Sequence, residues 1–354
     1  MLYHASLLLR SSYSVLNLFH YITFRAGASL LTALLLSLMC GPWFIRFSAR
    51  YFSSAVRQYT PENHQQKGQT PIMGGLLIIG VVMATLILWA NWCRPVVWIM
   101  ALVLICFGAI GFFDDWRKVR YRKGISARMK FWLQVSAGML VIGVWQWFMH
   151  PGAAVWFPFF KHVHPDLGWF FVIWALFVII GTCNAVNLTD GLDGLASTSL
   201  IANFMTFSII AYCAGHVRIA NYLAIPFANT AELFVVGAAL VGAVLGFLWF
   251  NTFPAQIFMG DVGSLALGSA LAMMALMVKQ ELLLVISGGL FVLEALSVII
   301  QVLSFKLRGK RVFKMAPLHH HYEMLGWPEA KITIRFGIIS FILCLLVLMT
   351  LKVR

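Results

Sequence analysis

The chain has 354 residues, of which 61% are hydrophobic and only 11% charged, whereas soluble domains carry about 25% charged residues. That composition excludes a soluble enzyme, and a mean hydropathy of +0.87 excludes a disordered chain, which needs low hydrophobicity and high charge. Lysine and arginine number 26 against 12 acidic residues, a net charge of +14, so each acid is scarce enough to be informative.

The first 22 residues mix Leu7, Leu8 and Leu9 with Arg10, Ser11 and Ser12. They lack the basic start and small-residue cleavage site of a signal peptide and read as an interfacial segment. Apolar runs long enough to cross a bilayer, or nearly so, begin near Phe24, Met73, Pro95, Phe131, Trp169, Leu195, Leu233, Val262, Leu282 and Ile332. A spanning helix needs about 20 such residues. Hydrocarbon offers no partner to an unpaired backbone group, so continuous, non-alternating runs predict helices rather than barrel strands. The expected fold class is all-α: a polytopic membrane bundle of about ten transmembrane helices, one integral domain over 1–354 without internal repeats.

Lysine and arginine set orientation. Arg117, Lys118, Arg120, Arg122, Lys123, Arg128 and Lys130 crowd a single loop, whereas the loops of the opposite side hold only Arg94, Lys161, Arg218 and Lys279. Loops 41–72, 114–130, 187–194, 251–261 and 305–331 are therefore expected in the cytoplasm, with both termini periplasmic. Asp114, Asp115, Asp190, Asp193 and Asp261 all fall at these span ends, a pattern that orientation does not require. Loops this short rarely fold alone, so a site there must be built from helix ends at the membrane surface. The six cysteines show no ligand spacing and read as small buried apolar residues.

The third span ends in Asp114-Asp115 followed by Trp116-Arg117-Lys118. Two carboxylates oppose the negative end of a helix macrodipole. Either Arg117 and Lys118 are plain salt-bridge partners, or both acids share a metal, which requires that the helix has ended, or the two acids divide tasks. Asn187-Leu188-Thr189-Asp190-Gly191-Leu192-Asp193-Gly194 reads either as a helix cap or as a polar recognition loop, with glycines that let backbone approach a ligand. Phe258-Met259-Gly260-Asp261 offers a cap or a magnesium ligand, because Mg²⁺ is held by one or two carboxylates plus substrate phosphates and water. Phe258 is an interfacial anchor or a platform for a base. His319-His320-His321 would point three ways on a helix, which argues against one metal bound by all three; they read either as phosphate contacts or proton-transfer groups, or as part of a solvated loop. Glu294 lies deep in the ninth run, either paired with a buried polar group such as Gln301 two turns on or held there for function.

Together these strings resemble the polyprenyl-phosphate N-acetylhexosamine-1-phosphate transferase superfamily, from about Phe24 to the C-terminus. Ala316-Pro317-Leu318-His319-His320-His321-Tyr322-Glu323 is similar to its muramoyl-pentapeptide branch. The resemblance implies transfer of phospho-MurNAc-pentapeptide from UDP-MurNAc-pentapeptide to undecaprenyl phosphate in the bacterial inner membrane, giving lipid I and UMP with Mg²⁺. It places Asp114, Asp115 and Asp261 at the catalytic centre, Asp261 as the metal ligand, and His319, His320 and His321 in phosphate binding or proton transfer. Asn187, Asp190, Gly191, Asp193, Asn251 and Phe258 would line the nucleotide site, with Thr70 beside them, and Lys67, Lys118 and Lys130 would steady diphosphate charge. Gln69 stands where the family commonly has glycine. Expected partners are the two substrates and membrane lipids, with no nucleic acid; a homodimer is compatible with the reading. The alternatives are a UDP-N-acetylglucosamine transferase of the same superfamily and a secondary transporter, whose ion-binding acids would lie near the midplane.

Overall fold

The computed structural model describes residues 1–9, 13–52, 70–160 and 162–352. Lys67, Gln69 and Lys161 therefore lie outside the described residues. A short helix α1 (Leu2–Leu9) and a 3₁₀ turn (Ser14–His20) precede α2 (Ile22–Tyr51), α3 (Gly74–Trp89), α4 (Pro95–Tyr121) and α5 (Ala127–Met149). Next come α6 (Phe170–Thr189), α7 (Leu195–Ala214), α8 (Val217–Leu223), α9 (Leu233–Asn251) and α10 (Gly260–Met277). The chain ends with α11 (Glu281–Ser287), α12 (Gly289–Arg308), α13 (Leu318–Glu323) and α14 (Glu329–Thr350). Among the described residues there is no strand, and Ala154 and Asp166 form an isolated antiparallel bridge.

The protein is an all-α polytopic membrane bundle. Among the described residues nine helices are long and apolar enough to cross a bilayer, and α3 is a shorter apolar one. At 1.5 Å per residue α3 is about 24 Å long, under the roughly 30 Å of a hydrocarbon core. Central α10 has 89% of its apolar stretch buried, against 22% for α12 at the rim. α10 packs on α4, α6 and α3, and α9 packs on α2, α7 and α3. Leu293, Leu296, Ile299, Ile300 and Leu303 of α12 are exposed, an arrangement suited to lipid and costly in water.

Several expected boundaries move. α2 continues through Pro42 to Tyr51, so the 41–72 segment begins as helix. α4 starts with Pro95 in its first turn, where the missing N–H costs nothing, and it runs well beyond the paired aspartates to Tyr121. Residues 114–121 are thus helix rather than loop, because Arg117, Lys118 and Arg120 are good helix formers and complement the negative helix end. α5 begins at Ala127, where the Ser126 hydroxyl accepts from Met129 N at 3.2 Å. In the same way Asn251 closes α9, residues 305–308 belong to α12, and α13 and the start of α14 occupy part of 305–331. The ninth run is broken at Gly288-Gly289 into α11 and α12, two adjacent residues of poor helix propensity.

Candidate active site

Four helices meet at one end of the bundle. α4 contributes Asp114, Asp115 and Lys118, α5 contributes Lys130, α6 contributes Asn187 and α10 contributes Asp261. On a helix, Lys118 stands three and four residues after the acids and so shares their face. Its Nζ lies 2.9 Å from Asp114 Oδ2, 3.2 Å from Asp115 Oδ1 and 3.0 Å from Asp261 Oδ2. Lys130 Nζ is 3.5 Å from Asp114 Oδ2 and also contacts Asp261 Oδ2. Asn187 Nδ2 donates to Asp261 Oδ1 at 3.1 Å and to Ser264 Oγ at 2.7 Å. Three carboxylates against two ammonium groups leave one negative charge unbalanced.

Because α4 does not end at the acids, Asp114 and Asp115 diverge. Asp114 Oδ1 accepts from Ile125 N at 2.7 Å, and Asp115 Oδ2 accepts from Val262 N at 3.2 Å. The condition under which both would chelate one metal, an ended helix, is not met. Among the described residues no group of three or more His, Cys, Asp or Glu is arranged to hold a metal. A magnesium ion needs only one or two carboxylates when substrate phosphates and water complete its shell. Asp261 fits that role best: its side chain is 16% exposed, against 5% for Asp114 and 4% for Asp115.

The turn before Asp261 is held by backbone. Gly260 has φ +74°, and a Cβ there would collide with Asp115 Oδ2, so only glycine admits this approach. Phe258 N donates to Pro71 O at 2.9 Å, Gly74 N to Phe258 O at 2.8 Å and Gly75 N to Met259 O at 2.9 Å. These bonds lay the segment from Thr70 to Gly75 against the Asp261 turn, with the Phe258 side chain partly exposed. Asp261 itself sits in the first turn of α10 rather than at its cap.

The asparagine- and aspartate-rich loop divides into two parts. Asp190 ends α6 and is half-buried. Burial, with Asp261, Asp115 and Asp193 nearby, pushes its carboxyl well above the usual range. Asp193 is turned to structure: its Oδ2 accepts from Ala255 N at 2.9 Å, its N donates to Glu329 Oε1 at 2.8 Å and its carbonyl accepts from Thr333 Oγ1 at 3.1 Å. Asn251 is buried, accepts from Gly194 N at 3.2 Å and Ser197 Oγ at 3.0 Å, and donates to Ile257 O at 3.0 Å. Gly194 occupies the cap of α7, which has no side-chain cap bond, so neither aspartate is the helix cap their spacing suggests.

The three histidines point three ways from α13. His319 is buried, its N donates to Glu294 Oε1 at 3.2 Å, and its Nδ1 lies 3.3 Å from Glu294 Oε2. Its Nε2 faces Gly191 at a spot where a Cβ would clash. His320 Nδ1 lies 2.6 Å from Glu323 Oε2, and His321 Nδ1 accepts from Lys314 N at 3.1 Å. Glu294 is thus partnered by His319 and not by Gln301, whose side chain instead bonds Val312 and Phe313 backbone at 2.9 to 3.0 Å. The preference of buried acids for a partner signalled that Glu294 has one, but nothing in the spacing points 25 residues on to His319. Ser264 and Glu329 carried no signal in the sequence.

Residues 97–279 match the family model for glycosyl transferase family 4, just over half of the chain. The chain belongs to glycosyl transferase family 4. It is a multi-pass membrane transferase that moves a phosphosugar onto a polyprenyl phosphate. The matched stretch of this family 4 transferase contains Asp114, Asp115, Lys118, Lys130, Asn187, Asp190 and Asp261. Thr70 and the histidines of α13 lie outside it; Pro71, next to Thr70, bonds Phe258 backbone, and His319 faces Gly191, both within the matched stretch.

Proposed function

We propose that this family 4 transferase moves phospho-MurNAc-pentapeptide from UDP-MurNAc-pentapeptide to undecaprenyl phosphate, releasing UMP and using Mg²⁺, with its active site facing the bacterial cytoplasm. The observation that carries the chemistry is the convergence of Lys118 and Lys130 on Asp114, Asp115 and Asp261 at one helix-end depth. Phosphoryl transfer needs alignment and charge neutralisation more than covalent chemistry. The triple histidine, packed through His319 against Gly191, supports the muramoyl-pentapeptide branch. Glu294, the acid a transporter would need free near the midplane, is held by His319.

In the reaction, an oxygen of the acceptor phosphate attacks the sugar-bound phosphorus, and the bond from that phosphorus to the UMP oxygen breaks, so UMP leaves with the bonding pair. Lys118 and Lys130 exchange a carboxylate contact for diphosphate oxygens and offset the charge there. Asp114 takes the proton of the acceptor phosphate. Asp261, oriented by Asn187, would hold Mg²⁺, which supplies neutralisation of phosphate oxygens when bound. Asn187, Asp190, Gly191 and Phe258 line the nucleotide side, while Asp193 and Asn251 position the loop that carries Phe258.

Purified protein with undecaprenyl phosphate, Mg²⁺ and labelled UDP-MurNAc-pentapeptide should release UMP and a labelled lipid, and labelled UDP-N-acetylglucosamine should give neither. Lipid product from UDP-N-acetylglucosamine alone overturns the substrate assignment and leaves the family assignment standing.

A further inference from the structure

A second charged assembly lies at the opposite end of the bundle. Along α4, Arg94 and Asp114 are separated by 20 residues, about 30 Å at 1.5 Å per residue. There the guanidinium of Arg25, 2% exposed, pairs with both oxygens of Glu232, donates to Trp89 O at 3.2 Å and lies over the Tyr3 ring at 4.4 Å. Asn91 N donates to Glu232 Oε1 at 2.8 Å. Tyr3, Arg25, Asn91 and Glu232 line a cavity of about 180 Å³, together with Arg94, His20 and Asn229.

Three features of this cavity select an anion. Glu232 is neutralised by Arg25, so Arg94 is a surplus positive charge, and among the described residues it makes no ion pair. Arg25 Nε is buried without a hydrogen-bond partner, although a buried donor normally has one. Finally, α2, α4 and α9 all begin here, at Ile22, Pro95 and Leu233, and helix starts favour negative charge. The surroundings indicate depth: Phe19 stacks on Trp89 at 5.4 Å, and Tyr21 and Phe24 are exposed, the aromatic arrangement typical of a membrane–water interface.

We propose that this cavity binds a phosphate group, with the headgroup of an anionic phospholipid as its occupant. Arg94, exposed and in the cavity wall, meets the oxyanion, and the Arg25–Glu232 pair lies beside it as a fixed, neutral part of the lining. The lipid tails then leave past the Phe19, Phe24 and Trp89 rings, and the bound headgroup ties the N-terminal segment to α2, α4 and α9.

Native mass spectrometry of the detergent-solubilised full chain, titrated with phosphatidylglycerol, phosphatidylcholine or inorganic phosphate, tests this. Phosphatidylglycerol should bind saturably and more tightly than phosphatidylcholine. Arg94→Gln should weaken it roughly tenfold, the scale of one charge-assisted hydrogen bond, while Arg94→Lys stays within a few fold. Arg94 is exposed, so its variants should keep wild-type melting and transfer rates. Competition by inorganic phosphate supports the site with free phosphate as a second occupant, and absence of competition supports it for lipid alone. Equal phosphatidylglycerol affinity in Arg94→Gln and wild type, or equal affinity for the two lipids, overturns the proposal.

Discussion

The two ends of this bundle bury charge in opposite ways. At one end Arg25 and Glu232 form a one-to-one bidentate pair, to which Asn91 N and Trp89 O each add one bond. At the other, three carboxylates surround two lysines, so the charges do not cancel and each ammonium has more than one claimant. A balanced pair fixes helices. An unbalanced cluster with interchangeable partners is what a charged substrate can enter, because a lysine can leave a carboxylate for a phosphate without stranding either group.

Breaking the cluster should cost activity and spare the fold. Asp261→Asn replaces a carboxylate with a weakly ligating amide at the position most open to a metal, and Lys118 and Lys130 retain Asp114. Loss of several kcal/mol of charge stabilisation corresponds to a transfer rate roughly 10³-fold lower, with a melting temperature close to wild type. Near-normal turnover at limiting Mg²⁺ would remove Asp261 from the metal site.

Breaking the pair should do the reverse. Glu232→Gln leaves Arg25 buried without its counter-charge and should cost about 3–5 kcal/mol of stability, while the protein that remains folded transfers at the wild-type rate. Arg25→Met combined with Glu232→Leu should recover most of that loss, since an apolar replacement removes both desolvated charges. Thermal melts of wild type and the two variants check this. A double variant no more stable than Glu232→Gln would mean that the pair supplies more than mutual neutralisation.

How far each end was legible in the sequence follows from the physics. Hydrocarbon forces long apolar runs into helices, so every predicted run corresponds to a helix, apart from the break at Gly288-Gly289. Helix ends are weaker signals: Trp116 to Tyr121 look like loop by charge, yet they continue α4 because basic residues suit a helix C-terminus. The aspartates could be placed at a common depth from topology alone. The contacts that sort Asp193 and Asn251 into loop positioning, or join Glu294 to His319, are tertiary and leave no periodic trace. Arg25 and Glu232 were invisible as a pair because 207 residues separate them.

Asp193 gives a finer test of where the cluster stops. Its Oδ2 accepts from Ala255 N, so Asp193→Ala strands that donor and should cost about 1–3 kcal/mol. Asp193→Asn keeps an acceptor oxygen and should cost less. Calorimetry on both should find the UDP-substrate affinity falling in step with loop stability. A large loss of affinity in Asp193→Asn without destabilisation would return Asp193 to direct nucleotide contact.

A pH-dependent effect separates charge held for function from charge merely tolerated. Lys279 links α10 and α11 at the end that carries Arg25, contacts Gly152 O and lies 4.1 Å from the centre of the Phe171 ring. Burial lowers its pKa to about 8, and Glu281 and Asp166 oppose that shift without cancelling it. An unfolded lysine titrates near 10.4, so between about pH 8 and 10.4 the unfolded chain binds more protons than the folded one. Stability from this group therefore rises with pH across that window and is flat on either side. Lys279→Met keeps the apolar stem and loses the titration. Melting curves of both proteins from pH 7 to 11 should give a wild-type-minus-variant stability difference that grows through the window, and a constant difference would mean that Lys279 stays charged against its aromatic neighbours.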